Sequence, residues 1–371
     1  MTSKFPYPET NPHVSDEFIF ANESHIVFNQ SFVGYLEHFI NTTIPLLAIL
    51  CASLVIYLSI FKTPDYIKPY AQVIRLTAFI DFGYGLFDFL CQVRVQTAPN
   101  IVMYSISGPA ALLNFQFQCY MFCGRRFFQV VGFLTLPIGY IFKYKILKTN
   151  ITPSFLYIAA YFTACFVLSG FGSWTGKIAY CDFDNPNRTD FGHYWYKETP
   201  VPTLLVTPSD YFPTVIHNHF NTVAIAGSYL LSIFFGTRTM MELRRQTALK
   251  IDQNLKLQKE VGRVLLAQSF VPLIASVLPI LIPRILVALE VPLNYYYFDF
   301  NTKMTTLFPL LNSLSSLYYI LPYRKFCFKV LKNVLIKGVK TSVVEMTPNN
   351  AVNQNNYVHP RNDTNLNTAQ T

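Results

Sequence analysis

The chain alternates between long apolar runs and shorter polar segments, which is typical of a protein that crosses a membrane several times. An α-helix needs about 20 predominantly apolar residues to cross a hydrocarbon core about 30 Å thick. The runs that meet this length cover residues 38–61, 70–91, 119–142, 154–174, 212–236, 264–289 and 304–323. The predicted fold class is therefore all-α and integral to the membrane, a seven-transmembrane-helix bundle.

The segment between the second and third runs is the exception to this regular pattern. Residues 92–118 include an apolar stretch at 101–113, but Gly108-Pro109 interrupts it and Asn114, Gln116 and Gln118 follow it. Such residues favour turns and irregular backbone. We therefore expect an outer loop or a re-entrant piece here. An eighth span would also move most of the later basic residues to the outside.

Basic residues predict the orientation of the bundle. Of the 29 lysines and arginines, 19 lie in the segments that would face the cytoplasm and six in those that would face outside. Positive charge accumulates on the cytoplasmic side of membrane proteins. The predicted organisation is an extracellular segment at 1–37, a transmembrane domain at 38–323 and a cytoplasmic tail at 324–371. The distal tail is Asn-rich and without apolar periodicity, so we expect it to be disordered.

Composition agrees with a multi-pass membrane protein. Only 13% of the residues are charged, whereas a soluble domain carries about 25%. The net charge of +9 is distributed over short loops between apolar runs. It is therefore explained by topology, and we expect the lipid bilayer and not nucleic acid to be the partner.

The cysteines and sequons fit the same orientation. None of the seven cysteines forms a CxxC pair or a zinc-binding spacing with histidine, so neither a metal nor a cofactor is predicted. Cys119, at the outer mouth of the third span, and Cys181, in the outer loop 175–211, are a candidate disulfide; Cys123, one turn away, is an alternative partner, and free thiols are the other possibility. The outer sequons predict glycosylation at Asn22, Asn29 and Asn187.

Charges inside the predicted spans are the strongest candidates for a functional site. A charge at mid-bilayer costs several kcal/mol, so such side chains pair, face the interior or line a watery cavity. Asp81 would lie deep in the bundle and the others in its outer half, where either a structural ion pair or a polar ligand pocket would explain them. His217 lies near the outer end of the fifth span with His219, where an interfacial role is favoured over metal binding. The candidate ligand-binding residues are Asp88, Arg125, Arg126, His217 and Arg284.

Short motifs in a fixed order indicate a family. They are Phe61-Lys-Thr-Pro64, Cys91-Gln-Val-Arg94, Ser107-Gly-Pro109 followed by Cys119, Phe142-Lys-Tyr-Lys-Ile-Leu147, Leu265-Leu-Ala-Gln-Ser-Phe-Val-Pro272, and Pro309 with Leu321-Pro-Tyr-Arg324. By these motifs the chain resembles the nematode seven-transmembrane chemoreceptors of the Str superfamily, and most closely the serpentine receptor class delta. The resemblance covers residues from about 40 to 330.

The resemblance implies a G-protein-coupled receptor (GPCR) for odorants or pheromones in the plasma membrane of sensory neurons, at the cilium. Its expected partners are a small-molecule ligand from outside and a heterotrimeric G protein, and a homo-oligomer is compatible with it. Lys143-Tyr144 stands where the family usually has Arg-Tyr, and Asn312-Ser313 where related receptors tend to have a proline. The candidate G-protein contacts are Lys143, Tyr144, Arg244 and Arg245.

Other functions remain open at the level of sequence. No G-x-S-x-G, HExxH, Walker or kinase motif occurs, so no enzymatic activity is expected. The intramembrane charges would also suit a transporter or a ligand-gated ion channel. A third reading is an orphan membrane protein without a ligand.

Overall fold

The computed structural model describes residues 32–63, 68–98, 101–149, 151, 153–181, 204–208, 210–248, 282, 295–330 and 332. Six long helices lie in this part of the chain: α1 (Phe32–Phe61), α2 (Lys68–Cys91), α3 (Phe115–Thr149), α4 (Phe155–Tyr180), α5 (Phe212–Ala248) and α6 (Tyr295–Tyr319). Helix α6 covers most of the predicted seventh span. The predicted sixth span, 264–289, lies outside the described residues apart from residue 282, which is helical.

The outward faces of these helices are apolar. Four of them contain stretches long and apolar enough to cross a membrane, namely His38–Phe61, Phe115–Thr149, Phe155–Tyr180 and Phe212–Arg245. Large side chains such as Leu50, Val167, Val223 and Leu230 are about two-thirds exposed. Contiguous apolar surface of this kind is rare on soluble monomers. Such a surface suits a lipid environment. The helical backbone is compatible with lipid as well, because helices satisfy their own backbone hydrogen bonds.

The inward faces are more polar, and α2 and α6 illustrate this. Asp81 and Asp88 of α2 and Asn312 and Ser313 of α6 are all buried. Polar side chains on transmembrane helices face the bundle interior, where they find partners.

Three short strands, which the sequence did not predict, form an antiparallel sheet. Two of them lie between α2 and α3 in the sequence, and the third lies between α4 and α5. Strand β1 (Val93–Ala98) pairs with β2 (Ile101–Ile106), and β2 pairs with β3 (Leu204–Pro208). The segment expected to be an outer loop or re-entrant piece is thus a β-hairpin followed by a 3₁₀ turn at Pro109–Leu112. We call the end of the bundle that carries this sheet the sheet end, and the opposite end, with Lys143 to Lys148, the basic end.

The motif Ser107-Gly-Pro109 attaches the hairpin to the end of α2. The backbone N–H groups of Ser107 and Gly108 donate to the carbonyl oxygen of Cys91 at 3.2 and 3.1 Å. The Ser107 hydroxyl donates to the carbonyl of Gln92, whose φ of 43° turns the chain out of the helix. A Cβ atom on Gly108 would lie 2.5 Å from the carbonyl oxygen of Leu90. Only glycine fits this close approach.

The sheet end has an apolar core of its own. It combines residues from the ends of three helices with residues from the sheet, so the strands pack directly on the bundle. The buried members are Cys91, Val93, Val95, Tyr104, Ile106, Ala110, Cys119, Phe122, Ala179, Tyr180 and Leu205.

All six described helices are longer than the predicted spans, and α3 and α5 exceed them most. The third span was expected at 119–142, but α3 has 35 residues, a length of about 50 Å. Helix α5 continues from the predicted end at 236 to Ala248. The bundle belongs to a compact unit, Met1–Lys325, and a second unit comprises Phe326–Thr371, in which residues 326–330 are helical.

Candidate functional site

A buried ion pair joins α2 to α3 near the sheet end. The Arg125 Nε atom donates a hydrogen bond to Asp88 Oδ1, and the two side chains are 1% and 5% exposed. The Arg125 guanidinium carbon lies 5.7 Å from the ring centre of Tyr84. The Tyr84 hydroxyl in turn donates to the backbone carbonyl of Thr305 in α6 at 3.3 Å. Tyr84 therefore connects the pair with a third helix.

Arg126 lies in an aromatic environment on the neighbouring face of α3. Its guanidinium carbon is 5.4 Å from the ring centre of Tyr104 in β2 and 5.2 Å from that of Phe122. These distances are within the range of cation–π attraction. Its Nη1 donates to Gln129 Oε1 at 3.0 Å. The aromatic and amide partners are neutral, so none of these contacts compensates its charge.

Each guanidinium group has a buried N–H donor for which no described residue supplies a hydrogen-bond acceptor. These atoms are Arg125 Nη2 and Arg126 Nε. Tyr84 interacts electrostatically with both arginines and with Asp88. We call Asp88, Arg125, Arg126, Tyr84 and Gln129 the charged cluster.

His217 is held between α4 and α5, separately from the charged cluster. Its Nδ1 lies 3.1 Å from the carbonyl oxygen of Gly172 and 3.2 Å from Thr175 Oγ1, and its Nε2 lies 2.9 Å from Asn221 Nδ2. Because a carbonyl only accepts, these assigned contacts require the proton on Nδ1 and an accepting Nε2. They describe a neutral imidazole with satisfied nitrogens.

An aromatic cluster nevertheless links His217 to Arg126. The ring of Tyr180 lies 5.4 Å from His217, 5.2 Å from Tyr104 and 5.5 Å from Phe122. The last two rings are also those that flank Arg126. His217 and Arg126 therefore contact the same group of rings. His219 is exposed, with its ring hydrogen-bonded to the carbonyl of Val215.

The thiol of Cys181 lies beside both of its predicted partners. Cys181 ends α4, with its backbone N–H donating to the carbonyl of Lys177 at 2.8 Å. Its side chain hydrogen-bonds to Cys119 and to Cys123. The hydrogen bond with Cys119 makes the largest contribution to raising the pKa of the Cys181 thiol, followed by the bond with Cys123 and by burial. Cys119 and Cys181 are thiols in this structure. The geometry is compatible with either predicted pairing.

Asp81 is paired with α6, an interaction that sequence analysis did not predict. Asn312 Nδ2 donates to Asp81 Oδ2 at 2.7 Å, and Ser313 Oγ donates to the same oxygen at 3.2 Å. The pair Asn312-Ser313, which the sequence had singled out, thus supplies hydrogen-bond partners for the buried carboxylate of Asp81. The sequence shows that Asp81 and Asn312-Ser313 are polar residues in two apolar spans. Nothing in it indicates that they lie at the same depth in the bundle.

The candidate G-protein contacts differ in exposure at the basic end. Lys143 is fully buried. Tyr144 is half-buried, with its ring 6.1 Å from that of Phe235 in α5. Arg244 and Arg245 are exposed, and Arg245 Nη2 forms an ion pair with Glu242 Oε1 at 3.0 Å.

Some predicted sites lie outside the described residues. They are the candidate ligand-binding residue Arg284 and the candidate glycosylation sites Asn22, Asn29 and Asn187. Within the described ranges, no group of three or more His, Cys, Asp or Glu side chains has an arrangement that could hold a metal ion.

Comparison with known proteins defines first the class and then the family. Among solved structures, the crystal structure of squid rhodopsin matches with a TM-score of 0.60 at 13% identity, over 81% of this chain and 86% of that one. The fold is therefore that of the seven-transmembrane-helix bundles, as predicted. The family model described as "Serpentine type 7TM GPCR chemoreceptor Srd" matches residues 38–329. The chain belongs to this family, which confirms the resemblance inferred from the motifs. No curated protein matches the chain.

Proposed function

We propose that this multi-pass membrane protein is a chemosensory GPCR of the plasma membrane, which binds a small molecule from outside and signals to a heterotrimeric G protein. The observation that supports this most directly is the charged cluster, which lies near the sheet end in a member of a chemoreceptor family and of which every residue except the half-buried Arg126 is buried. Intramembrane charge is costly and marks functional positions in membrane bundles. In this proposal the sheet end faces outside, and the protein resides at the sensory cilium.

Helix α3 provides a physical connection between the ligand and the G protein. It carries Arg125 and Arg126 near the sheet end and Lys143 and Tyr144 at the basic end. About 17 residues of helix separate the two groups, a distance of about 25 Å. A ligand that binds one arrangement of α3 better than another shifts the population toward that arrangement. The shift then changes the surface at the basic end.

The exposed arginines of α5 are the proposed contacts with the G protein. Arg244 and Arg245 are available to a partner in the present arrangement, and Tyr144 is partly so. Lys143 is buried and would need a rearrangement of α3 against α5 to reach one. This difference fits a resting receptor that exposes further basic residues after the ligand binds.

Nucleotide exchange on a co-expressed G protein, stimulated by an odorant panel, tests the proposal. We expect at least one odorant to accelerate exchange in cells that express the full chain. The combined substitutions Arg244→Ala and Arg245→Ala should abolish this acceleration without abolishing odorant binding. Arg238→Ala is the matched control, because Arg238 is an exposed arginine of the same helix.

A different result would favour the alternatives. A ligand-gated current or substrate uptake in cells without G-protein signalling would indicate a channel or transporter. An absence of both exchange and current across the panel would favour an orphan membrane protein and would contradict the proposal.

A further inference from the structure

The charged cluster has an excess of positive charge. Arg125 and Arg126 contribute two guanidinium groups, which are permanently protonated, and Asp88 contributes one carboxylate. Asp88 hydrogen-bonds to Arg125. Arg126 hydrogen-bonds only to the neutral Gln129 among the bonds described for its side chain. One positive charge therefore lacks a counter-charge within the cluster.

The cluster also has spare hydrogen-bond donors. Arg125 Nη2 and Arg126 Nε are buried and have no acceptor among the described residues, and Arg125 is 1% exposed. Leaving a buried charged donor without an acceptor is costly. Such donors call for an explanation, and a bound molecule that supplies the acceptor is one.

Aromatic rings lie against both guanidinium groups. Tyr104 and Phe122 flank the Arg126 guanidinium, and Tyr84 lies against that of Arg125. Aromatic walls with a few convergent polar groups are typical of sites for small organic molecules. These walls would contact an apolar body, while the guanidinium groups would contact an acidic end.

We infer that the charged cluster binds a small organic monoanion, in the simplest case a carboxylic acid with an apolar body. Its carboxylate compensates the charge of Arg126 and accepts hydrogen bonds from Arg126 Nε and Arg125 Nη2. A phosphate monoester, with a charge of about −1.5 to −2 at neutral pH, exceeds the single charge to be compensated. This inference rests on the proposed receptor function, because it names the ligand class of the same site.

Ligand-induced stabilisation tests the inference without requiring a signal. The full chain is purified into lipid nanodiscs, and its melting temperature is measured with straight-chain, branched and phenyl-substituted alkanoic acids. The primary amides and amines of the same skeletons are the comparison compounds. We expect some acids to raise the melting temperature, with affinities about tenfold or more above those of their amides. Amines should have no effect.

Three variants locate the effect at Arg126. Arg126→Gln should weaken acid binding about tenfold and remove the preference for acids over amides. Arg126→Lys keeps the charge and should keep the preference. Arg238→Gln removes an exposed arginine from α5 and should bind acids as the wild type does. If Arg126→Gln fails to fold, the comparison of acids with amides on the wild-type protein decides.

The outcomes separate this inference from the receptor proposal. Stabilisation by amides or amines but not by acids, or by no acid in the panel, overturns the inference. If a neutral or cationic odorant drives nucleotide exchange, the receptor function stands and the anionic ligand class falls. If acids bind through Arg126 but no G protein responds, the ligand class stands and the signalling proposal falls.

Discussion

At the scale of single residues, Arg125 illustrates how a buried charge depends on polar partners inside this bundle. Its guanidinium group is buried in a region where charge is costly, and the carboxylate of Asp88 and the ring of Tyr84 make that burial tolerable. Buried ion pairs are weak evidence of net stabilisation, because desolvation offsets their attraction. Removing one partner, however, leaves the other charge uncompensated.

A double-mutant cycle should therefore reveal strong coupling between Asp88 and Arg125. Asp88→Asn and Arg125→Gln should each destabilise the protein by about 3–5 kcal/mol, because each leaves a buried charge unpaired. The double variant should be more stable than the sum of the two effects predicts. Thermal unfolding in nanodiscs and surface expression measure this; additive effects, or two single variants that behave like wild type, would contradict the pairing.

His217 is expected to matter for the packing of α4 on α5. His217→Ala removes the hydrogen bonds to Gly172, Thr175 and Asn221 and should cost about 1–3 kcal/mol of stability. His219→Ala, at an exposed position, should have little effect and is the matched control. If His217→Ala melts like wild type but responds less to odorants, its predicted role in ligand binding is favoured over the packing role.

At the scale of elements, the connection between the hairpin and α2 depends on one glycine. Gly108→Ala should place a methyl group against the carbonyl of Leu90 and destabilise the sheet end by about 1–3 kcal/mol. Gly170→Ala is the matched control, since a Cβ atom there meets nothing within 4 Å. Because alanine favours helix more than glycine does, Gly170→Ala in helix α4 should be neutral or stabilise the protein by up to about 1 kcal/mol. A Gly108→Ala melting temperature equal to that of wild type would show that the approach is not restrictive.

The end of α4 should be linked covalently to α3. We expect peptide mapping of non-reduced protein from cell membranes to show a Cys119–Cys181 disulfide, because the two side chains are in contact and extracellular cysteines oxidise. Cys123→Ser should keep this disulfide, whereas Cys119→Ser should yield Cys123–Cys181. Complete alkylation of Cys119 and Cys181 without reduction would contradict the proposal.

At the scale of the whole molecule, the pattern of apolar runs predicts the helix bundle but not the three-stranded sheet at its end. Helix α3 follows from the run at 119–142, because lipid requires a long uninterrupted apolar segment. The sheet could not be predicted in the same way, since β3 pairs with a strand about 100 residues earlier and each strand is only five or six residues long. Short strands owe their stability to non-local partners.

The candidate site was predictable only in part, for a similar reason. Charge in an apolar span is conspicuous, so Asp88, Arg125 and Arg126 could be identified from sequence. Tyr84 and Tyr104 could not, because they are two of 24 tyrosines and only the packing of α2, α3 and the hairpin distinguishes them. The partners Asp81 and Asn312 are 231 positions apart, and no local pattern connects them.

We propose that the sheet end faces the outside and the basic end faces the cytoplasm, so that a ligand and a G protein reach opposite ends of one bundle. Epitope tags at the two termini of the full chain, stained in intact and in permeabilised cells, test it most directly. We predict that antibodies reach the amino-terminal tag on intact cells and the carboxy-terminal tag only after permeabilisation. An amino-terminal tag that is stained only after permeabilisation would contradict the orientation and the receptor function that depends on it.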